Sequence, residues 1–122
     1  MSISNYAELK ILEHITGKTA YSMPATVYLK LHTADAGENG TTAAATEATR
    51  KAASWAAAAS GSIATNATVE WTNVSTTETY THWSMWDALT AGNCLWTGAL
   101  SASAAVTAGD TFQITSLTLS LD

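Results

Sequence analysis

The stretch YTHWSMWDALTAGNCLWTGAL, Tyr80 to Leu100, gathers His82, Asp87 and the chain's only cysteine, Cys94, among Trp83, Trp86 and Trp96. A thiol, an imidazole and a carboxylate are the parts of a nucleophile–base–acid set. Such a set works only when the acid orients the base and the base reaches the nucleophile. On a regular strand over Tyr80–Ala88, His82 and Asp87 have opposite parity and point to opposite faces. No catalytic residues are therefore expected here, and the chain is not expected to be an enzyme. Asp87, at a strand end before a turn, suits a carboxylate accepting backbone N–H bonds. A lone cysteine cannot close an internal disulfide. Cys94 reads as a buried, inert thiol, with an intermolecular bridge as the alternative.

Metal chemistry finds no better footing. His14, His32 and His82 are far apart, and none has a second ligand at i+2, or at i+4 on a helix. Zinc needs three or four converging ligands. The acids of ADAGENG, Ala34 to Gly40, lack the alternating Asp/Asn ligands and terminal bidentate Glu of a calcium loop. Walker and Rossmann patterns are missing too, so neither a metal nor a cofactor is expected.

The tryptophans carry the strongest signal. Trp83 shares parity with Met85, while Trp86 shares it with His82 and Ser84, so both faces of this strand are aromatic. Strands apolar on both faces are usually buried on both. One face would pack into the domain, and the helix, a second subunit or a ligand would cover the other. Aromatic side chains anchor protein interfaces, which favours an interface over a sugar-stacking platform. The candidate interface residues are Trp83, Trp86 and Trp96, with Tyr6, Leu9 and Leu12 from the N-terminal segment.

Composition narrows the function classes. Hydrophobic residues make up 47% of the 122 residues and charged ones 12%, but many of the former are alanines that bury little area. The core must lean on a few large side chains, each worth about 1.5–3 kcal/mol when fully buried. Net charge is −5, with only Lys10, Lys18, Lys30, Arg50 and Lys51 as fixed cations. Nucleic-acid binding needs a basic footprint that this chain lacks. No signal-peptide pattern opens it and no apolar run nears ~18 residues, so no membrane contact is expected. The expected place of synthesis is the cytoplasm.

The elements that must position these residues follow from periodicity. In SNYAELKILEHITGK, Asn5 or Ser4 can cap a helix, and Glu8 completes a capping-box pattern with Asn5. Tyr6, Leu9, Ile11, Leu12 and Ile15 give it a broad apolar face, and Gly17 stops it. Residues 1–24 are read as a helical docking arm and 25–122 as an antiparallel β-sandwich (jelly-roll-like). From Thr26 the alternation of Val27, Leu29 and Leu31 against Tyr28, Lys30 and His32 predicts a half-buried strand. ADAGENGTT is expected to be a mobile, solvated loop. The Ala/Thr run Thr42–Ala59 leans towards extended chain, since a helix there would have little to bury. GSIATNATVEWTN reads as a turn, then a strand with Val69 and Trp71 on one face. ETYTHWSMWDA and CLWTGAL form a hairpin around a loop of about five residues. Phe112 and Ile114 have the opposite parity to Leu117, Leu119 and Leu121, which requires a bulge or break near Thr115 and Ser116.

The order of these segments resembles a family of small tailed-bacteriophage proteins. The resemblance is carried by SNYAELKILEHITGKTAYSMPATVYLKLHTADAGENGT, by the hairpin THWSMWDALTAGNCLWTGAL, and by the C-terminal VTAGDTFQITSLTLSLD. It is weakest over Thr42–Ala67, where Arg50 is kept and alanines replace the family's pattern. Members are known as tail fibre or capsid decoration proteins. The resemblance implies a β-sandwich virion component that forms oligomers, often trimers, and it supplies no catalytic residues. With no heptads and no second domain, the expectation is a capsid decoration (cement) protein. It would bind the phage major capsid protein or other virion proteins and stabilise the assembled head. The alternative is a small tail fibre or tail-tip protein contacting host surface glycans.

Overall fold

A computed structural model describes residues 2–121. The elements are β1 (Ser2–Ile3), α1 (Asn5–Ile15), β2 (Val27–His32), β3 (Lys51–Ala53), β4 (Ser62–Ala64), β5 (Val69–Trp71), β6 (Glu78–Trp86), β7 (Cys94–Val106), β8 (Phe112–Ile114) and β9 (Thr118–Ser120). A five-stranded sheet runs β1-β7-β6-β2-β3, and two ribbons, β4-β9 and β5-β8, accompany it; every pairing is antiparallel. The fold is mainly β and sandwich-like, with one short helix.

Register explains the core. Leu29 faces Met85 and Leu31 faces Trp83 across β2–β6, while Met85 faces Trp96 across β6–β7. Paired residues share a face, so these five side chains form one apolar layer. Val69, Trp71, Ile114 and Leu119 from the ribbons close it into a single cluster. Gly98, the partner of Trp83, leaves room for the indole: a Cβ there would lie 2.6 Å from Trp83 Cζ2.

Tyr80 is fully buried, edge-on to Phe112 at 5.2 Å, although it shares parity with His82. A bulge reconciles the two. Tyr80 pairs with Ala104 and His82 with Ala99, so Thr81 alone opposes Leu100–Ser103. A register slip of this kind re-aims the side chains on either side of it.

Several expectations need correction. Ser4, not Asn5, is the N-cap, accepting from the Ala7 N–H, so Glu8 is not the capping-box partner. The hairpin turn spans 87–93 rather than five residues, because β6 ends at Trp86. β7 runs on to Val106, and β4 forms within a stretch read as a turn. The Ala34–Thr42 loop is not simply solvated: Ala36 and Gly40 are buried, and the Thr42 N–H donates to the Ala36 carbonyl. His32 is buried too, so β2 is covered on both faces at its C-terminal end. The extended reading of Thr42–Ala59 holds, with β3 inside it and bridges at Ala44 and Trp55. The C-terminal break falls at 115–117, between β8 and β9.

Candidate functional site: a sealed polar network and an open helix face

The pairing of β2 with β6 creates a polar contact that the sequence did not disclose. His32 Nε2 lies 2.7 Å from Ser84 Oγ, and His32 Nδ1 lies 2.8 Å from the Thr42 carbonyl. A carbonyl can only accept, so Nδ1 carries the proton and Nε2 accepts from the Ser84 hydroxyl. Trp86 Nε1 in turn donates to Ser84 Oγ at 2.7 Å. Hydroxyl, imidazole and carbonyl thus line up as in a nucleophile–base relay. Yet His32 and Ser84 are both 0% exposed, which leaves a substrate carbonyl no approach. The geometry suits a satisfied structural network.

Burial is the largest influence on His32 and holds its pKa below the ordinary histidine value. Protonation would also put a second donor on Ser84 Oγ, which already accepts from Trp86. Because the folded pKa is depressed, the network's contribution is fully present above the unfolded value near ~6.5 and is lost as pH falls towards the folded one. Stability should therefore fall by up to about 1.4 kcal/mol per pH unit in that window. Urea midpoints from pH 8 to pH 5 check this, and His32→Gln should flatten the slope.

The residues singled out at first do not converge on chemistry. Asp87 Oδ1 accepts from the Asn93 N–H at 2.8 Å and Oδ2 from Asn93 Nδ2 at 3.0 Å, the turn role expected of it. His82 Nδ1 lies 2.8 Å from Thr81 Oγ1. Cys94 is buried, and burial pushes its thiol up to about 11, so no thiolate forms near neutral pH. Among the described residues, no three His, Cys, Asp or Glu side chains could jointly hold a metal ion. No helix among the described residues is long and apolar enough to cross a membrane. A cleft of about 710 Å³ between β3, β4 and β5 is lined by Val27, Ala53, Trp55, Ile63 and Met85 and has no titratable side chain.

The six interface candidates divide sharply. Trp83, Trp86 and Trp96 are 1%, 6% and 8% exposed within the single chain. The chain itself supplies the cover that a two-faced aromatic strand requires. Gly40 (φ +67°) packs so closely that a Cβ would meet Cys94 Sγ at 2.6 Å and Trp86 Cζ2 at 3.0 Å. The Arg50 guanidinium stacks 4.0 Å from the Trp86 ring centroid, and its Nη1 donates to the Ala88 and Ala91 carbonyls at 2.8 and 2.7 Å. Neither Gly40 nor Arg50 was a sequence candidate; the only hint was a lone arginine in an alanine-rich run.

The helix behaves differently. Ser4 caps it and donates its hydroxyl to the Cys94 carbonyl, which fastens α1 to β7. Tyr6 is half-buried and packs against the core. Leu9 and Leu12 are 62% and 56% exposed, and Ile15 is open as well. Spaced by three, these aliphatics form one stripe along the helix surface.

Fold and site together define a small β-rich protein with a sealed His32–Ser84–Trp86 network inside and an apolar helix face outward. A family model described as Podophage GP4 fiber I protein gp80 matches residues 2–122. The chain belongs to this family of phage fibre proteins, which makes it a virion structural protein. No curated protein matches it.

Proposed function

We propose that this chain is a subunit of a podophage fibre, built in as a homotrimer through the Leu9–Leu12–Ile15 stripe and presenting its sheet surface to host glycans. The exposed stripe is the observation that carries the reading. Three aliphatic side chains on a helix fastened at its N-cap to the sheet are costly to leave in water, and burying each is worth about 1.5–3 kcal/mol. A second copy of the chain is the occupant that the oligomeric habit implied by the family resemblance supports. Glu8, Lys10, Glu13 and His14 flank the stripe with both signs of charge, which suits packing against copies of itself.

A capsid decoration role is the second reading, favoured by a chain without heptads. It keeps the same stripe but adds the major capsid protein as partner. Cryo-EM of the particle separates the two. A few copies at the tail are expected, whereas many copies over the head would replace the fibre reading with decoration.

A further inference from the structure

Fixed cations are scarce in this acidic chain, yet two of its five stand side by side. The β2–β3 register pairs Val27 with Ala53, Tyr28 with Ala52 and Leu29 with Lys51. Lys30 and Arg50 are the residues next to that last pair, Arg50 lying just outside β3. Both approach the same indole: Lys30 Nζ lies 5.9 Å and Arg50 Cζ 4.0 Å from the Trp86 ring centroid. Two like charges held this close repel each other. Each cation, held partly out of water, has its charged form disfavoured first by burial, and at Lys30 next by Arg50.

Among the described residues, no carboxylate makes a direct ion pair within 4.0 Å with either cation. Asp87, whose two oxygens accept from Asn93, offsets part of the Arg50 charge without bonding to it, and no such carboxylate favours the Lys30 charge. Arg50 Nη1 is occupied by the two turn carbonyls, and no bond among the described residues involves its Nη2 or Nε. Tyr28, half-buried, stands on the same sheet face two residues before Lys30 and opposite Trp86.

We propose that Lys30 and Arg50 form an anion subsite for a sugar bearing an oxyanion, either a phosphate or a uronic carboxylate, with Tyr28 beside it to receive the sugar ring. A guanidinium offers a planar donor edge that matches such oxyanions, and an ammonium adds a point charge. An anion seated between the two turns a repulsive pair into an attractive one. The uncharged part of the ligand would meet an aromatic side chain with an apolar body. The subsite deepens the host-glycan part of the fibre reading by naming the ligand class, and it rests on that reading only for where such sugars come from.

Titrating the ¹⁵N-labelled full chain at low salt with glucose 6-phosphate, glucuronate, glucose and inorganic phosphate tests the subsite without reference to particle location. Amide shifts at Tyr28–Lys30 and Arg50 are expected with at least one anionic sugar and not with glucose. Lys30→Gln should weaken that binding at least fivefold while the rest of the spectrum stays in place. The tighter of the two anionic sugars assigns the oxyanion. Equal shifts from glucose, no shift from either anionic sugar, or unchanged binding by Lys30→Gln would overturn the proposal. Inorganic phosphate binding as tightly as the sugar phosphate would overturn its sugar component. Imaging that moved the chain from tail to head would refute the fibre reading and leave this measurement standing.

Discussion

Replacing Gly98 by alanine should destabilise the fold by about 2–3 kcal/mol, the upper part of the range for overpacking a core. The added Cβ would lie 2.6 Å from Trp83 Cζ2 and 2.9 Å from Cε2. Trp83 is 1% exposed and boxed in by the apolar layer it shares with Leu31, so the ring has little room to retreat. The backbone at Gly98 does not need a positive φ, which makes the cost steric. In a domain of this size the loss corresponds to a fall in Tm of roughly 8–12 °C. A double-mutant cycle isolates the contact. Trp83→Leu alone removes buried ring and should cost about 3 kcal/mol. Adding Gly98→Ala to it should cost less than about 0.5 kcal/mol, because the clash is gone. Thermal melts of the four proteins measure this, and full additivity would show that the ring does not rest on the glycine.

Leu9→Ser combined with Leu12→Ser is expected to dissolve the proposed trimer while sparing the subunit. Both side chains are more than half exposed, so within one chain the change should stay near 0.5 kcal/mol per site. In the assembly each buried leucine is worth about 1.5–3 kcal/mol. Losing two per subunit weakens association by at least a hundredfold, at about 1.4 kcal/mol per factor of ten. Near-UV circular dichroism, dominated by the enclosed indoles, should not change. The contrast with Gly98→Ala is the useful one: the first variant attacks the fold and the second only the outward face.

What could be read in advance was whatever has a period or a cap. β2 and β5 follow from alternation, α1 from its capping residues and aliphatic spacing, and the break after Ile114 from a parity conflict. The second half of β7 escaped because Ser101–Ala105 are small and carry no alternation of size or polarity. β4 escaped because Ser62–Ala64 offers a single large residue. The His32–Ser84 contact depends on a register joining segments far apart in sequence, which neither segment states alone. The demand that both faces of β6 be covered was legible; the source of the cover was not. It comes from Gly40 and Arg50 in a stretch without periodicity. That moves the outward-facing apolar surface from the indoles to Leu9, Leu12 and Ile15.

Sedimentation velocity on the purified chain, with and without the paired leucine changes, tests most directly whether this stripe is what builds the protein into something larger. The wild type should sediment at three times the 12.7 kDa chain mass and the double variant at one chain mass, with the same near-UV spectrum. A wild type that stays monomeric at the highest concentration reached, or a double variant that remains trimeric, would contradict it.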